Sequence, residues 1–247
     1  MKDVIPYYKN RGETPKEALE RLRIERPKLQ NETLSYAGRL DPLAEGVLLI
    51  LVGEANKERE QYLHLSKKYT VEILFGWSTD TYDVAGKLCE VSEKHINPLP
   101  LMEALHSFEG VHEKEYPPFS SKPVEGHPLF WWAQRGRLSE ITIPKHTIEI
   151  QKVLLLKTKS ITGDELSKFV HKSLGLLTGD FRQDEIWACW EENLKATYNK
   201  EYSVVVIEVM CGSGAYMRQL AKELGEKLGV PALALSITRT KIGEFSI

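Results

Sequence analysis

The sequence predicts an α+β protein with a mixed, largely antiparallel central sheet flanked by helices and loops. Three observations carry this: a cleanly alternating apolar run over 67–77, helical segments with their own start and stop signals, and no strict strand–helix–strand repeat. In chain order, Thr14-Pro15-Lys16-Glu17 marks a helix start. Thr14 can cap, Pro15 suits the first helical position and Glu17 completes a capping box. Ala18, Leu19 and Leu22 mark the buried face, and Pro27 ends the helix nearby. The apolar run 47–52 reads as a buried strand. Within 67–77, Tyr69, Val71, Ile73 and Phe75 share one strand face. Residues 99–108 read as a helix striped by Leu101, Leu105 and Phe108. Residues 109–127, rich in Gly, Pro and charge, read as a long loop, a length often functional in compact domains. A short aromatic helix over 128–136, a strand over 148–156, a helix over 164–177 and a strand over 202–211 follow. Gly212-Ser213-Gly214 then turns the chain into a helix over 215–228, which Gly229 and Pro231 end, and a last strand spans about 232–247.

At 247 residues the chain can bury one large core or two small ones. Its 42% hydrophobic and 28% charged content is ordinary for a soluble globular protein. No apolar run approaches the roughly 18–20 residues that span a bilayer, so no membrane partner is expected. The N-terminus lacks an apolar signal region, and Cys89, Cys189 and Cys211 form neither a disulfide framework nor a metal pair, so a cytoplasmic setting is expected. A net charge of −2 neither points to nucleic acid nor excludes it, because a whole-chain sum hides local basic faces. Composition alone favours a small-molecule enzyme; the motifs overrule it.

The segment Ala37-Gly38-Arg39-Leu40-Asp41-Pro42-Leu43-Ala44-Glu45-Gly46-Val47-Leu48 is a glycine-flanked loop before an apolar strand. Pro42 fixes its own φ and pushes Asp41 into an extended conformation, so the loop can hold one carboxylate in one orientation. An isolated Asp-Pro is usually only a turn. Here the whole stretch resembles the G-x-L-D-P-x-A-x-G-x-L signature of the TruB family of RNA pseudouridine synthases. Further matches are Gly53-Glu54-Ala55-Asn56-Lys57, Lys67-Lys68-Tyr69, 76–86 with Thr79-Asp80-Thr81 and Asp83, Pro117-Pro118-Phe119-Ser120-Ser121, Gly214-Ala215-Tyr216-Met217-Arg218 and 224–229. They run from about residue 7 to the C-terminus and are weakest between about 160 and 200.

The resemblance implies a pseudouridine synthase-like fold and one catalytic domain over 1–247, with an RNA-binding insertion around 109–146. It implies RNA, and tRNA in particular, as partner, with uridine 55 of the T loop as target. It implies Asp41 as the catalytic carboxylate, acting as nucleophile or as base. Tyr69 would stack on the flipped base, an aromatic contact that offsets about 1–3 kcal/mol of unstacking. Without the resemblance, Tyr69 would be read as a plain core tyrosine. Arg218 would pair with Asp41 and keep it ionised. A cation one turn into a helix gains nothing from the dipole, so it needs such a partner. Tyr216 would line the same pocket. Ile237 takes the place of an apolar residue near the base. No metal, no other cofactor and a monomer are expected.

Departures from the family pattern are Tyr36, where a histidine is usual, Arg39 before the Leu-Asp pair, and Asn10 in the N-terminal Lys9-to-Gly12 echo. Most members carry a C-terminal PUA domain, and none is expected in a chain that ends at Ile247. His127, Trp131, Trp132, Arg135 and Arg137 mix aromatics with cations, which suits either unpaired RNA or an amphipathic helix packing its tryptophans inward. The acidic stretch 79–83 reads as a solvated loop. Three alternatives stand beside the main reading. One is a synthase acting on another RNA site, and another is a non-catalytic RNA-binding or RNA-folding protein on the same scaffold. A glycosidase would need a second carboxylate at a defined separation, which the sequence does not show.

Overall fold

Alternation over 67–75 becomes the middle of a sheet. The computed structural model describes residues 1–94 and 96–247. In chain order its elements are β1 (Lys2–Lys9), α1 (Pro15–Glu25), β2 (Leu34–Ala37), β3 (Ala44–Gly53), α2 (Arg59–Leu63), β4 (Lys67–Phe75), β5 (Trp77–Thr79) and β6 (Leu88–Val91). There follow α3 (Pro98–His106), β7 (Gly110–Glu115), β8 (Pro123–Val124), β9 (His127–Pro128), α4 (Leu129–Gln134), β10 (Lys145–Thr162), α5 (Gly163–Gly175) and α6 (Gln183–Lys195). The chain ends with β11 (Glu201–Cys211), α7 (Met217–Leu228), β12 (Ala232–Ile242) and β13 (Phe245–Ser246).

The described residues build a nine-stranded sheet in the order β1-β3-β12-β4-β11-β10-β7, with β2 added to β3 and β13 to β12. Its pairs are antiparallel except β12 on β3, where Ile237 lies opposite Ala44 and Arg239 opposite Gly46. That one parallel pair brings the Asp41 loop, just before β3, beside the C-terminal strand. One face of the sheet presents Tyr69, Val71, Ile73 and Phe75 to α3 and α7. Another cluster joins Leu74, Trp77 and Tyr202 to α5 and α6, where Trp77 stacks on Trp190 at 5.2 Å. The α1 capping box forms: Thr14 Oγ1 accepts from the Glu17 amide, and Glu17 accepts from the Thr14 amide at 2.6 Å.

Several expectations change. The stretch 109–127 is not all loop, because Gly110–Glu115 pairs with β10 as the edge strand. β10 outruns its expected bounds at both ends, since β7 supports it from Lys145 to Ile150 and β11 from Ile150 to Thr162. α7 starts at Met217, two residues late, with Tyr216 still extended. Gly243, at φ +54, breaks the last strand into β12 and β13. β1, β2 and α6 were not anticipated. α6 lacks a capping side chain, so the strongest local start signal is missing, although Asp184 and Glu185 lie in its first turn.

Candidate active site

The loop that carries Asp41 is held from two directions. On one side Lys9, fully buried, donates through Nζ to the carbonyls of Asn10 (2.9 Å), Glu13 (2.6 Å) and Pro42 (3.1 Å). The Gly12 amide also donates to Pro42 O at 2.9 Å. On the other side Arg239, 1% exposed, donates to the carbonyls of Val47 (2.7 Å), Gly38 (3.0 Å) and Arg39 (3.4 Å). Gly38, at φ +81, lets the loop turn toward it. Gly46 must lack a side chain, because a Cβ there would lie 2.2 Å from the Arg239 carbonyl oxygen.

So held, Asp41 faces a cavity of about 650 Å³. Its side chain is 32% exposed, while that of its partner Arg218 is 4% exposed. The pairing is a two-pronged fork: Nε donates to Oδ2 at 2.7 Å and Nη2 to Oδ1 at 3.2 Å. Arg218 also donates to the carbonyls of Thr81 (2.6 Å) and Phe119 (3.4 Å), and its Nε lies 3.7 Å from Asp83 Oδ2. Burial works against the guanidinium charge, but Asp41 and Asp83 more than offset it and hold Arg218 above its ordinary range. Burial drives the Asp83 carboxyl up, against the pull of Arg218 and its hydrogen bond from Thr81. Arg218 is the second residue of α7 rather than a full turn in, at the pole where a cation is least welcome, so these acceptors account for its place.

The remaining anticipated residues converge on the same cavity: Tyr69, Tyr216, Ile237 and Tyr36 all line it with Asp41 and Arg218. Tyr69 is buried, and its hydroxyl, pushed up by burial, accepts from Arg239 Nη1 at 3.5 Å. Burial pushes the Tyr216 hydroxyl up to about 12, and its ring meets Tyr116 edge-on at 6.2 Å. Ile237 is 7% exposed and sits on β12 beside Ala44. Tyr36 stands on β2, half-buried, its hydroxyl accepting from Arg39 Nη2 at 3.1 Å. Among the described residues no group of three or more His, Cys, Asp or Glu comes together as a metal site.

One reading needs correcting. The 79–83 stretch is not solvated: Thr79, Thr81 and Asp83 are buried, and Thr81 donates to Asp83 Oδ1 at 2.6 Å. Internal bonding removes the carboxylate from water, which sequence could not show. The aromatic segment packs one of its two tryptophans inward. Trp132 packs inward and donates to Val124 O at 3.1 Å, whereas half-buried Trp131 stacks on His127 at 3.9 Å with Arg135 over its ring at 4.2 Å. The residues missed by sequence were Arg239, Thr81 and the clamping role of Lys9. Arg239 left no signal, because it follows strand residues on which an arginine would ordinarily face solvent.

With this geometry established, similarity to known proteins is informative. The family model described as "TruB family pseudouridylate synthase (N terminal domain)" matches residues 26–175. The tRNA pseudouridine synthase B of Aquifex aeolicus (strain VF5) is 30% identical over 239 residues, covering 97% of this chain and 68% of that protein. That of Staphylococcus haemolyticus (strain JCSC1435) is 29% identical, covering 99% of this chain and 67% of that protein. The chain thus spans about two thirds of these relatives. The solved Cbf5-Nop10-Gar1 complex contains a chain that matches 98% of this one with a TM-score of 0.59, at 16% identity and over 49% of its own length, a likeness of fold. Because the family model covers more than half of the sequence and the Aquifex relative matches nearly all of it, this chain belongs to the TruB family of pseudouridylate synthases.

Proposed function

We propose that the chain isomerises uridine to pseudouridine in tRNA and that its target is uridine 55 in the T loop. The observation that carries this is a half-open carboxylate, Asp41, gripped by a buried arginine at the wall of a cavity that Tyr69, Tyr216 and Ile237 also line. The isomerisation breaks the bond from ribose C1′ to N1 of the base and makes one from C1′ to C5. The C5 proton is lost and N1 gains one, so atoms balance and no electrons are exchanged. Asp41 serves as nucleophile at the sugar or as the base that takes a sugar proton. Arg218 keeps Asp41 aimed through its two-pronged fork. Tyr69 offers its ring to the base while it turns, and Ile237 packs beside it. Tyr36 stands where the family's histidine meets the flipped nucleotide, and its ring can stack in the same way. The similarity to synthases named for tRNA supports the substrate class.

A single-turnover assay on unmodified tRNA, with the modified position mapped, tests the reading. The wild-type chain should modify uridine 55. Asp41→Asn should abolish product while the fold and tRNA binding persist, because asparagine keeps the shape and a hydrogen-bond acceptor but not the charge. Modification only at other positions would refute the target, and substantial turnover by Asp41→Asn would refute the mechanism.

A further inference from the structure

The connection between α5 and α6, residues 176–182, reaches the rim of the cavity, where Leu177, Phe181 and Arg182 line it. Arg182 is left-handed at φ +62, a conformation unfavourable for a residue with a Cβ. It stands at the N-cap of α6 yet makes no side-chain capping bond, so helix initiation does not explain it. Local bonds hold the turn, with the Arg182 amide donating to Asp180 Oδ1 at 3.2 Å and the Phe181 amide to Gln183 Oε1 at 2.8 Å. The turn so held aims the Arg182 side chain away from α6 and across the cavity rim. Arg182 donates through Nη1 to Asp80 Oδ2 at 2.9 Å and through Nη2 to Oδ1 at 3.5 Å, and its guanidinium lies 4.8 Å over the Phe119 ring.

Asp80 and Phe119 belong to the wall that holds Arg218. Arg218 donates to the carbonyls of Thr81, the next residue after Asp80, and of Phe119 itself. Two arginines therefore grip one wall, Arg218 by its backbone and Arg182 by its side chains. The Asp80 end of the wall is anchored on one side: the Lys87 amide donates to Asp80 Oδ1 at 2.8 Å, and Thr81 and Asp83 bond to each other. On its other side Asp80 and Phe119 line a second cavity of about 680 Å³, and there Arg182 supplies the contact from the α5–α6 connection. The Arg182–Asp80 pair is not a loose surface bridge either, since the two side chains are 19% and 27% exposed.

We infer that Arg182 is a positioning residue, which ties Asp80 and Phe119 so that the Thr81 and Phe119 carbonyls keep Arg218, and through it Asp41, at the angle the reaction needs. The catalytic consequence rests on the synthase activity proposed above. The tie itself does not.

The test uses the full chain with Arg182→Ala, Arg182→Lys, Asp80→Asn and the double variant Arg182→Ala/Asp80→Asn. Single-turnover rate at saturating enzyme and tRNA affinity are measured alongside side-chain Nε–H exchange of Arg218 by NMR. Arg182→Ala and Asp80→Asn should each slow the reaction about ten-fold, as a small misplacement of a reacting group does, with tRNA affinity unchanged. The double variant should be no slower than either single one, because both break one tie. Arg182→Lys should recover part of the rate, since a lysine keeps the charge but not the planar fork. Arg218 Nε–H exchange should quicken in step with the rate loss. Weaker tRNA binding with a smaller salt dependence and an unchanged saturated rate would overturn the inference and make Arg182 a phosphate contact. A lower melting temperature with the rate of the folded fraction intact would also overturn it. Should Arg182→Ala fail to fold, Arg182→Lys and Asp80→Asn carry the same comparison. Should the wild type lack activity, the proposed function fails and the exchange measurement decides alone: unchanged Arg218 exchange in the variants overturns the tie.

Discussion

Arg218 and Arg239 are both buried arginines, but they act differently. Arg218 neutralises carboxylates, whereas Arg239 satisfies carbonyls. Arg218→Ala leaves Asp41 and Asp83 facing each other's charge without a cation. Loss of one partner from a buried ion pair costs about 3–5 kcal/mol. A sharp fall in melting temperature and a near loss of single-turnover activity are expected, and Arg218→Lys should restore only part of either. A wild-type melting curve and rate for Arg218→Ala would contradict the pairing. Arg239→Met keeps much of the volume but leaves the Val47, Gly38 and Arg39 carbonyls without their donor. A loss of about 3 kcal/mol is expected from unsatisfied buried acceptors, read by denaturant titration. The rate should fall too, because the freed carbonyls belong to the Asp41 loop.

At the scale of elements, the same kind of change separates stability from activity. Thr14→Ala removes the capping oxygen of α1, whose buried residues Ala18 and Leu22 pack on β1 and β3. It should cost about 1 kcal/mol and change the rate little, since the lost hydroxyl bonds the Glu17 amide of its own helix rather than the Asp41 loop. Gly46→Ala acts where β3 passes β12. Position 46 has φ +106, and the new Cβ would meet backbone rather than a yielding side chain. Strain of this kind costs about 1–3 kcal/mol for the backbone conformation alone, and the 2.2 Å contact adds to it. Thermal unfolding should show a far larger loss than for Thr14→Ala. Equal losses from the two changes would mean that β3 and β12 can separate cheaply.

For the whole molecule, buried ionisable groups shape the alkaline stability. Burial lowers Lys9 and Lys67 from 10.5 to about 8. Between those values the unfolded chain binds more protons than the folded one, so these lysines make stability rise with pH. Burial raises Cys211 from 9.0 and Tyr216 from 10.0, each to about 12. Over those ranges the folded chain keeps protons that the unfolded chain has lost, so these groups make stability fall. Of these groups the lysines alone act between pH 8 and 9, and above 10.5 Cys211 and Tyr216 act without them. Melting temperature should therefore climb between pH 8 and 9 and drop beyond 10.5, with Cys211→Ala softening the drop. A flat profile from 8 to 9 would mean that both lysines stay charged in the fold.

Much of the site was readable along the chain. Asp41, Tyr69, Tyr216 and Arg218 sit in short motifs that resemble the family's signatures, and the α1 start was written into Thr14 and Glu17. Such signals act between residues a few positions apart, where capping bonds and side-chain alternation are settled locally. The clamp of Arg239 on Gly38 and Arg39, the burial of Asp83 and the grip of Arg182 on Asp80 could not be read this way. Their partners lie 201, 200, 135 and 102 positions apart, the third pairing Asp83 with Arg218. They meet only because the parallel β3–β12 pair, the bridge of Asp83 to Ala234 beside α7, and the α5–α6 connection bring their segments together. Whether an arginine faces water, a carbonyl or a carboxylate depends on which surfaces fold against each other, and no residue type states that in advance.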